Sequence, residues 1–124
     1  MDQVTAISIG AVLGANARYW LGVWVDSRFA TGFPLGTLVV NCTGSLVLGF
    51  LLILTTQRIA LSPRWRLLLA VGFLGSYTTF SSFSVETLAL LDEGSWLLAL
   101  ANVLLSVGFG LVGAWLGARL AAGI

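Results

Sequence analysis

Several sets of polar residues interrupt otherwise apolar sequence, and their types suit the handling of a small ion better than bond-making chemistry. The densest is GSYTTFSSFSVET, Gly75 to Thr87. Seven of the nine residues from Ser76 to Ser84 carry a hydroxyl, and the other two are Phe80 and Phe83. Thr37, Asn41 and Ser45 recur at intervals of four, and Asn102 and Ser106 repeat that interval near the end of the chain. Hydroxyls and amides donate hydrogen bonds, and the edge of a phenyl ring is positive where its face is negative. A row of such weak donors would desolvate an anion without trapping it, as conduction requires. A plainer reading stands beside this one: the rings pack against lipid or core, and Asn41, like Asn102 with Ser106, ties helices together by hydrogen bonds.

The same stretch carries a second kind of chemistry. Gly75, the many hydroxyls and the adjacent β-branched pair Thr78-Thr79 argue against an uninterrupted helix. A break near 75–79 would free backbone carbonyl oxygens, hard ligands suited to a hard cation such as sodium. Non-helical backbone at membrane depth survives only where it is buried in protein or lines a cavity. Arg18 reads as structural, able to reach a helix terminus, a carboxylate or the interface by snorkelling. Glu86 is the one acid inside a predicted span. Such a group relays protons or binds a cation when buried, or sits wet near a helix end, and no catalytic role is assigned to it.

What must position these residues follows from composition. The chain has 124 residues, 58% hydrophobic and only 9% charged, with a mean hydropathy of +1.00. A soluble domain carries about 25% charged residues, so the solvent for this surface is lipid. Charge-free runs cover 3–17, 29–57, 67–85 and 94–118. The last three reach the roughly 18 residues of a spanning helix, and the first continues beyond the single charge of Arg18. We predict an all-α integral membrane protein with four transmembrane helices, about 4–25, 35–56, 66–91 and 95–119, the third broken, in one transmembrane domain over 1–124. Period-two alternation is absent, which argues against a membrane barrel. Ala15-Asn16-Ala17 imitates a signal-peptidase site, but Met1-Asp2-Gln3 lacks the basic opening of a secretory signal.

With no histidine and one cysteine, Cys42, metal sites of the His/Cys kind and histidine catalysis are excluded. No acid pair falls within a span, so the chain lacks an acid/base constellation and is not expected to be an enzyme. Its expected surroundings are a lipid bilayer and no nucleic acid. The short link Asp92-Glu93-Gly94 places helices three and four as an antiparallel pair. Arg58, Arg64, Arg66 and Arg119 gather on the side of the termini, with Arg28 and Arg18 opposite, a lean toward cytoplasmic termini. Gly10, Gly14 and Gly22 share one four-residue row, and Gly113 and Gly117 another, spacing that lets helix backbones approach closely in lipid.

Longer motifs add a resemblance. Gly14-Ala15 with Arg18-Tyr19, GTLVVN at 36–41 with Gly44-Ser45, and GFLG at 72–75 followed by TTFSSFS at 78–84 closely resemble the Fluc-type (CrcB) fluoride channels, over about residues 7 to 118. That resemblance implies passive fluoride export across the cytoplasmic (inner) membrane by an antiparallel, dual-topology homodimer with two pores. It implies a structural sodium ion at the dimer centre on the backbone carbonyls of Gly75 and Thr78. It places Asn41, Phe80, Phe83 and Ser106 on the fluoride path, with Thr37 on the Asn41 face. Thr79 and Ser82 resemble the family's polar track, with Glu86 as its end. Two departures stand out: Ser76-Tyr77 follows Gly75 where other members often carry a second glycine, and Asn102 occupies a position often held by tyrosine. The rival readings are a small multidrug-type proton-coupled antiporter and a non-conducting assembly subunit. The first needs a carboxylate in helix one, which 4–25 lacks; in the second, Asn41 only holds helices together.

Overall fold

The computed structural model describes residues 1–124 and contains helices and short links only. Helix α1 (Gln3–Arg28) opens at Asp2, whose carboxylate accepts the Thr5 amide at 2.7 Å and caps the first turn. Helix α2 (Leu35–Arg58) widens to π-helical spacing over Leu54–Arg58. Helix α3 (63–77) starts with Pro63 in its first turn, where a missing amide proton is harmless. It winds with π-helical spacing over Leu67–Leu74 and stops after Tyr77. Thr78 and Thr79 are extended, with ψ of 156° and 110°. Helix α4 (Phe80–Asp92) follows, and Gly94, at φ +78°, makes the left-handed turn into α5 (Trp96–Ala122).

Helix ends fall within about three residues of the sequence expectation, and two differences bear on the site. Helix α1 runs to Arg28 rather than ending near 25, so Asp26 lies in its last turn. The interruption of the third span falls on the two threonines alone: Gly75, at φ −64° and ψ −33°, is helical. Removing one side chain did not stop the helix. Two consecutive β-branched residues, each able to hydrogen-bond its own surroundings, did.

Three segments are long and apolar enough to cross a membrane: Leu35–Arg58, Pro63–Asp92 taken through its break, and Trp96–Ala122. The 26 residues of α1 have spanning length but include Asn16, Arg18 and Asp26. Only 18 of the 124 residues are buried, and Val12, Trp20, Trp24, Leu97 and Leu111 are among many large apolar side chains facing outward. Such an exterior needs lipid or another protein chain around it. The molecule is an all-helical, multi-pass membrane protein.

Packing is backbone-close. Helix α1 lies along α3, and α5 lies chiefly along α2. The α4–α5 pair expected from the short link does form, but it is the lesser partnership of α5. A Cβ on Gly10 or Gly14 would collide with α3 backbone at Leu68 and Phe73, and one on Gly117 with the Leu46 carbonyl of α2. Gly113 likewise faces the Cys42 carbonyl. Lipid tails are as apolar as leucine, so close backbone approach supplies much of the attraction between these helices. A Cβ on Gly22, expected on the α1 row, would meet nothing within 4 Å, whereas one on Gly36 of α2 would collide with the Gly22 carbonyl, so Gly36 rather than Gly22 permits the close approach there. Val40 of α2 with Leu74 and Tyr77 of α3 form the small buried core beneath the break.

Candidate functional site

The break is held open by one side chain. A helix leaving its hydrogen-bond ladder must satisfy the freed backbone groups elsewhere. Here the Thr79 amide donates to Asn41 Oδ1 at 2.7 Å, and Asn41 Nδ2 donates to the Thr79 carbonyl at 3.0 Å. The Asn41 amide thus pairs with both polar groups of one peptide residue, much as a neighbouring strand would. Thr79 then restarts the helix: its Oγ1 accepts the Ser82 amide at 3.1 Å and donates to Ser82 Oγ at 3.1 Å. Tyr77 anchors the other side, stacked on Phe73 with centroids 5.9 Å apart and bonded to Thr43 Oγ1 at 2.8 Å. Tyr77 therefore closes α3 with a buried ring.

Beside this clamp lies a groove of about 290 Å³, lined by Asn41, Gly44, Ser45, Leu48, Thr78, Thr79, Phe80, Phe83, Ser106 and Val107. None of these carries a charge. Of the residues picked out in the sequence for an ion path, Asn41, Phe80, Phe83, Ser106 and Thr79 meet here. The two rings lie 5.7 Å apart and tilted by 46°. Phe80 is 79% exposed, so its ring packs on little else in the chain. Such a wall offers amide and hydroxyl donors and ring edges to an anion, and no full charge to hold it.

Thr37, Ser82 and Glu86 lie off the groove. Thr37 Oγ1 donates to Glu86 Oε1 at 2.9 Å, while Glu86 Oε2 is buried without a hydrogen-bond partner. Ser82 and Glu86 share a separate hollow with Ser81 and Val85. Thr79 is bonded to Ser82, Ser82 shares its hollow with Glu86, and Glu86 is bonded to Thr37.

A third hollow, about 560 Å³, is lined by Ala15, Arg18, Gly75, Ser76, Thr78, Thr79, Phe80 and Ser81. No backbone amide bonds to the Thr78 carbonyl, and the amide that would close a helical turn on Gly75, that of Thr79, goes to Asn41. Arg18 also reaches this hollow, and its Nε is buried with no hydrogen-bond partner. None of the helix terminus, carboxylate or interface expected for it supplies that bond within the chain.

Asp26, now inside α1, is not a free coupling acid. Its Oδ1 accepts the Gly36 amide at 2.8 Å and so caps the start of α2. Sequence reasoning underrated Ser45, which lines the groove although its four-residue spacing with Asn41 was visible. It missed the Thr87 and Thr43 contacts, with Asn102 and Tyr77, because spacing along one helix does not show which residue of a neighbouring helix a hydroxyl meets. Asn102 joins α5 to α4 through Thr87, Nδ2 to Oγ1 at 2.9 Å.

Known proteins share this arrangement of sequence. The chain is 49% identical over 119 residues to a protein of Roseiflexus sp. (strain RS-1) named fluoride-specific ion channel FluC, covering 96% of each. It is 48% identical over 118 residues to fluoride-specific ion channel FluC 2 of Symbiobacterium thermophilum, covering 95% of this chain and 96% of that one. A fluoride-specific ion channel FluC of Solibacter usitatus is 50% identical over 115 residues, 93% and 94% of the two chains. The model of the CrcB-like proteins (camphor resistance, CrcB) matches residues 5–118. With nearly its whole length matched, the chain belongs to the CrcB-like protein family.

Proposed function

We propose that this protein is a fluoride-selective channel, not an enzyme, which lets fluoride leave passively across the cytoplasmic membrane. The observation that carries this reading is the uncharged groove in which Asn41, Ser45, Ser106, Phe80 and Phe83 meet. Fluoride is small and strongly hydrated, and it gives up water only where several donors replace it together. Asn41 has a second N–H beyond the one on Thr79, and Ser45 and Ser106 each carry one hydroxyl proton. The ring edges complete the shell without a formal charge. The similar proteins, named fluoride-specific ion channels, support fluoride as the ion. The test is efflux from liposomes holding the purified protein, with a potassium ionophore to dissipate voltage. Fast fluoride loss beside retained chloride supports the reading; equal loss of both, or no loss from a folded protein, refutes it.

The working unit in this reading is an antiparallel homodimer with two pores. The outward-facing Phe80 and the open side of the groove support a second copy covering them. Each end of the chain then faces both compartments. An impermeant thiol reagent applied to whole cells should label about half of a Glu93→Cys variant in a Cys42→Ala background, the equal-orientation limit. All-or-none labelling would rule the antiparallel homodimer out.

The residues also fit a structural sodium ion. The Gly75 and Thr78 carbonyls, freed by the break, are hard oxygen donors facing one hollow. Two from each protomer would hold the ion, which supplies positive charge that draws the two break regions together. Replacing sodium by N-methylglucamine should lower the melting temperature of the detergent-solubilised dimer, since a ligand bound only by the folded state stabilises it. An unchanged melting temperature across a sodium titration would dismiss the site.

A further inference from the structure

Asn102 is 2% exposed, the one buried polar side chain of the core, and it does not line the groove. It sits in a chain of hydrogen bonds whose direction can be worked out from one end. The Phe83 carbonyl can only accept, so the Thr87 hydroxyl donates to it, at 2.7 Å. That engages the single proton of Thr87 and leaves only lone pairs toward Asn102. Asn102 must therefore turn its NH2 to Thr87, at 2.9 Å, and its Oδ1 the other way. Oδ1 in turn accepts the proton of Ser106, at 3.4 Å. The carbonyl of one groove residue, Phe83, thus fixes the direction in which another, Ser106, points its proton.

We propose that Asn102 is a positioning residue of the anion path: it draws the Ser106 proton out of the groove, so an arriving anion must compete with Asn102 for it. This rests on the channel reading above. At rest Ser106 presents lone pairs to the groove, which repel an anion. At 3.4 Å its bond to Asn102 lies beyond the usual range for hydroxyl donors, so a rotation about one side-chain torsion exchanges partners at little cost. The competition weakens binding at Ser106 and eases release, which a conducting site needs.

The test is a double-mutant cycle on fluoride efflux measured across a concentration series. Asn102→Leu frees the Ser106 proton, and half-saturating fluoride should fall about two- to threefold, the low end of what one neutral hydrogen bond is worth. In a Ser106→Ala background the same change should do nothing. An equal shift in both backgrounds, or none in either, overturns the proposal while leaving the channel standing. The parent protein gives a second readout that needs neither flux nor the leucine variant. The Asn102 side-chain amide resonance in ¹⁵N NMR should move on fluoride titration and stay fixed in Ser106→Ala. A fixed resonance in the parent overturns the proposal. A moving one in a protein without flux would sink the channel reading and spare the proton competition.

Discussion

Replacing Asn41 with aspartate is expected to reduce fluoride efflux by at least about 100-fold while the helices still form. The side chain keeps its size but loses the NH2 group, which performs two tasks: it donates to the Thr79 carbonyl at 3.0 Å and it lines the groove. If the new carboxyl is ionised, a negative charge stands within about 4 Å of the anion's path. At an effective dielectric constant of about 20 that repulsion is roughly 4 kcal/mol, on the order of a thousandfold. If it is protonated instead, its one O–H goes to Thr79 and no donor remains for the anion. Either state blocks the path, so the outcome does not depend on the acid's titration. Asn41→Ala separates the two tasks. It leaves the Thr79 amide and carbonyl unpaired, at about 1–3 kcal/mol for each buried group, and should lower the melting temperature more than Asn41→Asp does. Flux at the parental rate in a folded Asn41→Asp protein would remove Asn41 from the path and leave it only as the clamp of the break.

The second large effect is expected at Phe80. Isoleucine there preserves apolar character and much of the volume but removes the ring and its positive edge. Because Phe80 is 79% exposed, its loss costs the fold of one chain little. Efflux should nonetheless drop on the order of tenfold or more, the scale of one lost ring contact together with a disturbed neighbour, Phe83, 5.7 Å away. Gel filtration and helical content should match the parent. A Phe80→Ile protein that conducts as fast as the parent would make the ring a packing element of the exposed face. A variant that loses flux only by falling to monomers would assign the ring to the subunit contact instead.

Much of this was legible in the linear sequence, for identifiable reasons. Hydropathy determined the helices, because a bilayer leaves backbone polar groups no partner except one another. Spacing by four put Thr37, Asn41 and Ser45 on one face of α2 and Asn102 with Ser106 on one face of α5. The run from Gly75 to Ser84 announced a break, since so many competitors for the backbone cannot sit in one undisturbed helix. Periodicity stops at the edge of each helix, however. It could not tell that Asn41 would reach across to Thr79, or that Thr37 would leave the groove for Glu86, because both depend on how α2 is rotated against α4. Nor could it foresee that Gly75 stays helical, or that the side-chain position of Gly22 is open while its carbonyl lies against Gly36, since a glycine's role is set by what approaches it. The direction of the Asn102 bonds is the clearest case. The sequence supplies a carbonyl, two hydroxyls and an amide, but only their placement within hydrogen-bond reach across two helices decides which atom gives a proton to which.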